Sequence, residues 1–124
     1  MVHSTRTVLI VDDNAAIRRE LSEEFMRSGF AFCEAENGSE AIDCVRALPP
    51  DLIILDLSMP VMNGLEAAPR LREILPKVPI ILYTAFADAV KVTDFHASGV
   101  TTVFPKNDPL TTLIATAEKL LDHD

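Results

Sequence analysis

Three short runs, TVLIV (7–11), DLIILD (51–56) and PIILYT (79–84), are each built on an unbroken stretch of Val, Ile and Leu. A strand with one wet face alternates polar and apolar side chains, so unbroken runs of this kind need cover on both faces. Two weaker strand patterns, AFCEA (31–35) and TTVF (101–104), lie between and after them. Helical patterns separate all five. Ile17, Leu21 and Phe25 recur every four residues, between Asn14 as a candidate N-cap and Gly29 as a stop. Asn37 with Glu40 opens a second helix whose Ala41, Ile42 and Val45 share a face, and Pro49-Pro50 closes it. GLEAAPRLREIL, DAVKVTDFHAS and DPLTTLIATAEKLL supply three more helices, the last with Asp108 as N-cap and Pro109 at its first position. Pro69 falls inside the third helix and is expected to kink it or delay its start.

Alternating strands and helices of this type specify an α/β domain: a single, doubly wound (βα)5 open parallel sheet with right-handed crossovers. The 124 residues, 48% of them hydrophobic, suffice for one core, and one domain over 1–124 with 5–121 as the folded core is expected. The formal charge of -8 argues against a nucleic-acid or anionic-membrane surface. Cys33 and Cys44 fit no metal spacing and read as packed thiols of a reduced protein. The chain shows neither a signal peptide nor a membrane-spanning run, so the expected location is cytoplasmic.

In open parallel sheets, ligands bind beyond the carboxyl ends of the strands. The first strand delivers Asp12 and Asp13 to that edge, the third Asp56, the fourth Thr84, and Lys106 lies just past the fifth. Taken singly, Asp13 reads as a helix cap, Asp56 as a turn residue, Thr84 as a strand end and Lys106 as a solvated charge. Their joint arrival at one edge points to chemistry. Two carboxylates about 4 Å apart repel by about 1 kcal/mol in water and about 4 at an effective dielectric of 20, so three invite a divalent cation. Oxygen ligands without a nearby histidine or thiol favour Mg²⁺. A carboxylate beside Mg²⁺ can attack a phosphoryl group and form an aspartyl phosphate. Lys106 would then neutralise charge on that group and the Thr84 hydroxyl would donate to one of its oxygens.

These residues resemble a response regulator receiver domain of two-component signalling, similar to the chemotaxis regulators, over essentially the whole chain. DLSMPVMNGLE (56–66) is the most specific piece, and VLIVDDN, LYTAF and FPKND follow in the family's order. The resemblance implies a flavodoxin-like strand order 2-1-3-4-5. It implies that Asp56 is the phosphoacceptor, that Asp13, Asp56 and the Ser58 carbonyl hold Mg²⁺, and that Asp12 binds it largely through water. It further implies a phosphohistidine donor, either a sensor histidine kinase or a phosphotransfer protein, and a downstream protein target or fused output domain. Such a domain catalyses only its own phosphorylation and slow dephosphorylation and is not a dedicated enzyme. The resemblance also admits a dimer through the face of the fourth helix, fifth strand and fifth helix, and that face is the expected output surface. None of His3, His96 and His123 is needed.

Two positions depart from the family pattern. Lys106 is followed by Asn107 and preceded by Pro105, and the usual switch aromatic is replaced by Val103. Phe104 is adjacent, but strand alternation directs it to the opposite face. Ser58 and Phe86, each two residues past a site residue, are expected to give the phosphorylated state an intermediate lifetime. Among rivals, a haloacid-dehalogenase-type phosphatase needs a second acid where Ser58 stands, and a flavodoxin-like nucleotide binder would not place Asp12 and Asp13 against phosphate. A phosphorylation-independent interaction module would not need Asp13, Asp56, Thr84 and Lys106 together.

Overall fold

The computed structural model describes residues 5–87 and 97–122. Five parallel strands, β1 (Thr7–Val11), β2 (Ala31–Ala35), β3 (Leu52–Asp56), β4 (Ile80–Thr84) and β5 (Thr102–Pro105), form one sheet in the order β2-β1-β3-β4-β5. Four helices are described over their length: α1 (Ala15–Arg27), α2 (Gly38–Ala47), α3 (Gly64–Ile74) and α4 (Leu110–Leu121). The expected helix within DAVKVTDFHAS lies outside the described residues except for a helical Ala97 and Ser98, and the three histidines lie outside them as well.

The period-2 geometry of the strands sorts the core into two layers. Leu9, Val11, Ile53, Leu55, Ile80 and Leu82 face Ala41, Val45, Ala67 and Leu71 of α2 and α3. Val8, Ile10, Leu52, Ile54, Ile81 and Tyr83 face Leu21 and Phe25 of α1 and Leu113 and Ala117 of α4. β3 and β4 are buried throughout, as their unbroken apolar runs require. Cys33 and Cys44 are free thiols at the margin of the first layer. Among the described residues no helix is long and apolar enough to cross a membrane.

The helix starts follow local chemistry. The Asn14 side chain accepts from the N–H groups of Ala16 and Ile17, Asn37 accepts from Glu40, and Asn63 with Glu66 forms a reciprocal capping box. Gly29 ends the α1 turn at φ 92, a conformation that a Cβ disfavours. Two expectations need correction. The start of α3 is not delayed by Pro69, because the capping box sets it at Asn63 and Pro69 sits on the exposed face, where water can satisfy the carbonyl its ring leaves unpaired. The N-cap of α4 is Pro109 rather than Asp108: Pro109 keeps an extended ψ of 142, and no side chain caps that helix.

Candidate acidic site at the carboxyl edge of the sheet

Strand register assembles the site. Val11 pairs with Leu55, which sets Asp12 level with Asp56, and Asp56 pairs with Tyr83. Thr84, one residue further along, pairs with Pro105, and the Lys106 N–H donates to the Thr84 carbonyl at 2.9 Å. Asp12, Asp56 and Thr84 are 1%, 5% and 1% exposed, so the fold buries three polar side chains at one edge. Burial of this kind is costly without partners. One carboxylate oxygen from each of Asp12, Asp13 and Asp56 lies within 4.8 Å of the others.

Lys106 folds back along the strand direction to reach the cluster. Its Nζ lies 2.9 Å from Asp12 Oδ2 and 3.2 Å from Asp56 Oδ1, and 5.8 Å from the centroid of the Tyr83 ring. The remaining Asp12 oxygen accepts from the Asn14 N–H at 2.9 Å. Thr84 Oγ1 accepts from the Phe86 N–H at 3.0 Å, which ties the buried hydroxyl to the turn that follows β4.

Burial first, and the Asp12 carboxylate second, push Asp56 above the ordinary carboxylate value, against the opposing pull of Lys106 and of the Ser58 N–H that donates to it. Burial disfavours the charge on Lys106, but its hydrogen bond to Asp12 and the charges of Asp12 and Asp56 outweigh that and hold it above the usual lysine value. One lysine therefore faces three carboxylates. The negative excess, the all-oxygen donor set and the close spacing fit a hard divalent cation such as Mg²⁺.

The β3–α3 loop brings its backbone close to Asp56. A Cβ on Gly64 would collide with the Asp56 carbonyl oxygen, so only glycine lets α3 start here. Within the same loop Met62 N–H donates to the Pro60 carbonyl at 2.7 Å across Val61, whose φ of 70 is the strained positive-φ form of a tight γ-turn.

Asp12, Asp13, Asp56 and Lys106 thus converge as expected, and Thr84 lies on the neighbouring strand end. Val103 packs toward the α2 and α3 layer, whereas Phe104 turns to the other face and stacks on Tyr83, ring centroids 6.3 Å apart. Two contributors escaped the sequence reading. Tyr83 supports Lys106, for which no sequence signal exists. Arg18, whose Nη1 donates to the Asp12 carbonyl, left a faint one: the first turn of α1 carries no acid, and a cation follows at once where the helix dipole favours anions.

Residues 8–118 match the response regulator receiver domain family. Sporulation initiation phosphotransferase F of Bacillus subtilis is 35% identical over 99 residues, 80% of this chain and 80% of its own length. The protein-glutamate methylesterase/protein-glutamine glutaminase 3 of Hahella chejuensis is 43% identical over 103 residues, which make up 80% of this chain but 29% of that protein. The solved structure of chemotaxis protein CheY4 of Vibrio cholerae superposes with a TM-score of 0.89 at 29% identity, covering 94% of this chain and 99% of that one. The strand order, the acidic edge with its lysine, and a match spanning nearly the whole sheet together mean that this chain belongs to the response regulator receiver domains of two-component signalling, a family that works through phosphorylation.

Proposed function

We propose that Asp56 accepts a phosphoryl group from the phosphohistidine of a sensor histidine kinase or phosphotransfer protein. The observation that carries this reading is the placement of a buried Asp56 carboxylate 3.2 Å from Lys106 Nζ, within a cluster of three mutually close acids. An Asp56 oxygen attacks phosphorus, the P–N bond breaks, and its electron pair leaves with the donor imidazole. Asp13, Asp56 and the Ser58 carbonyl would hold Mg²⁺, with Asp12 beside it, and bound Mg²⁺ supplies positive charge against the oxygens of the transferred group. Lys106 supplies a second cation from just past the carboxyl end of β5. The chain acts on itself alone, adding and slowly losing this group, and is not a dedicated enzyme.

The Thr84 hydroxyl donates to a phosphoryl oxygen once Asp56 is modified. Because Thr84 Oγ1 is bonded to the Phe86 N–H, this motion carries the 85–87 turn with it. With Val103 at the usual switch position, the signal passes through backbone rather than through a ring, as a shift between existing conformations. The output face includes β5 and α4 and takes a downstream protein, a fused output domain or a second copy of the chain. The receiver unit is 1–124, with 5–121 its folded core, and its place of action is the cytoplasm.

Incubation with Mg²⁺ and acetyl phosphate is expected to add one phosphoryl mass, and Asp56→Asn to abolish the addition. Beryllofluoride with Mg²⁺ should shift the amide resonances of residues 84–87 and of β5. Wild-type protein that gains no mass and shows no shift under these conditions rules the reading out.

A further inference from the structure

The Asp13 carboxylate is exposed and has no hydrogen bond or ion pair of its own among the described residues. Asp12 is bonded through both carboxylate oxygens. The aim of Asp13 therefore depends on the peptide group that joins it to Asp12, since a planar peptide fixes where the next Cα and side chain begin. Arg18 holds that peptide. Its Nη1 donates to the Asp12 carbonyl at 2.6 Å, and the preceding peptide is fixed through the Asp12 N–H, which donates to the Ala35 carbonyl at 3.1 Å.

The guanidinium is itself anchored from the far side. Its Nε donates to Glu34 Oε1 at 3.0 Å, Nη2 lies 4.0 Å from Glu36 Oε1, and the side chain is 13% exposed. Glu36 is tied in turn, its N–H donating to Glu40 Oε1 at 2.9 Å. A rigid planar fork of this kind fixes direction better than an ammonium does. Glu34 and Glu36 also offset its charge, so the lasting effect of Arg18 on the acidic edge is geometric.

We propose that Arg18 is a positioning residue that aims Asp13 by clamping the Asp12–Asp13 peptide to the Glu34–Glu36 end of β2. This rests on the reading of the acidic cluster as a Mg²⁺ site. The geometric role has an opposite sign from a purely electrostatic one. Removing a cation near a cation site should tighten Mg²⁺ binding by Coulomb's law. Loosening a second-layer partner should weaken it, roughly tenfold or more.

The test is Mg²⁺ titration by calorimetry and by amide NMR of wild-type, Arg18→Met and Arg18→Lys protein, with thermal unfolding of each. Expected are Mg²⁺ binding by wild type, binding roughly tenfold weaker in Arg18→Met and less severely weakened in Arg18→Lys, and Asp13 and Asn14 amide resonances displaced in both before metal is added. If Arg18→Met does not fold, the Arg18→Lys arm decides alone. Variants that bind Mg²⁺ as tightly as wild type or tighter, or an unmoved Asp13 amide, overturn the positioning role and leave the metal site standing. Wild-type protein that takes up no Mg²⁺ overturns the metal site and the positioning role with it.

Discussion

Lys106 lies closer to Asp12, at 2.9 Å, than to Asp56, at 3.2 Å. The lysine is thus held by an acid other than the proposed acceptor, and Asp12 keeps it in reach of Asp56 without neutralising Asp56 fully. Burial first, and the charge of Asp12 second, keep Asp56 above its ordinary carboxylate value against the pull of Lys106. New negative charge on Asp56 would draw Lys106 further from Asp12, which makes the pair a charge-sensitive link between β3 and β5.

Asp56→Asn should stabilise the protein at pH 7 when divalent cations are removed, by about 1 kcal/mol or more, the scale of like-charge repulsion at this spacing. Because the folded-state value of Asp56 is raised, its stabilising contribution is present in acid, below the unfolded value of 3.8, and is lost as pH rises through the folded value. The gain from asparagine should accordingly vanish in acid. Urea unfolding across that pH range checks both statements, and a variant no more stable than wild type at pH 7 contradicts them.

Thr84→Val keeps the branched shape but removes the acceptor for the Phe86 N–H. Phosphorylation of Asp56 should still occur, since no atom of Thr84 is transferred. The amide shifts that beryllofluoride induces at residues 85–87 should shrink to a small fraction of the wild-type change. Wild-type shifts in this variant would mean that the turn is moved by another route.

Phe86 is 59% exposed beside the acidic edge, and its ring is the bulky group two residues beyond Thr84. Phe86→Ala should speed loss of the phosphoryl group by opening the approach of water, up to roughly tenfold, which corresponds to about 1.4 kcal/mol of barrier. Decay of the phosphorylated mass with time measures this directly. An unchanged rate discards the steric explanation.

Val61 combines a φ of 70 with 82% exposure. A β-branched residue at positive φ costs about 1 to 3 kcal/mol, whereas glycine, without a Cβ, enters this γ-turn conformation freely, and so little of Val61 is buried that replacing it loses almost no packing. Val61→Gly should raise stability in urea unfolding by up to about 1 kcal/mol, the relieved strain being partly offset by the greater freedom of glycine in the unfolded chain. A less stable variant would show that the loop exploits Val61 in some other way.

Most of the fold was legible along the chain because the determining signals are local. Unbroken apolar runs require two covered faces, and the asparagine caps at 14 and 37 bond within a few residues of themselves. Pro109 was misplaced by one position because φ alone does not say whether a proline stands inside a helix or caps it; ψ decides, and ψ depends on how the chain enters from β5. The late start expected from Pro69 failed for a related reason, since the cost of a proline depends on whether the carbonyl it orphans faces water, and that is a property of packing.

By itself the sequence determined the residue types at the strand ends, the alternation that sends Val103 and Phe104 to opposite faces, and the excess of acids over bases at the carboxyl edge. Strand order and register decided the rest. Only when β3 lies between β1 and β4 does Asp56 stand level with Asp12, and only then can Lys106, 94 positions along the chain from Asp12, bond to it. The clamp of Arg18 on the Asp12 carbonyl belongs to the same class. Contacts between distant segments depend on the closing geometry of the whole sheet, which no local pattern of side chains encodes.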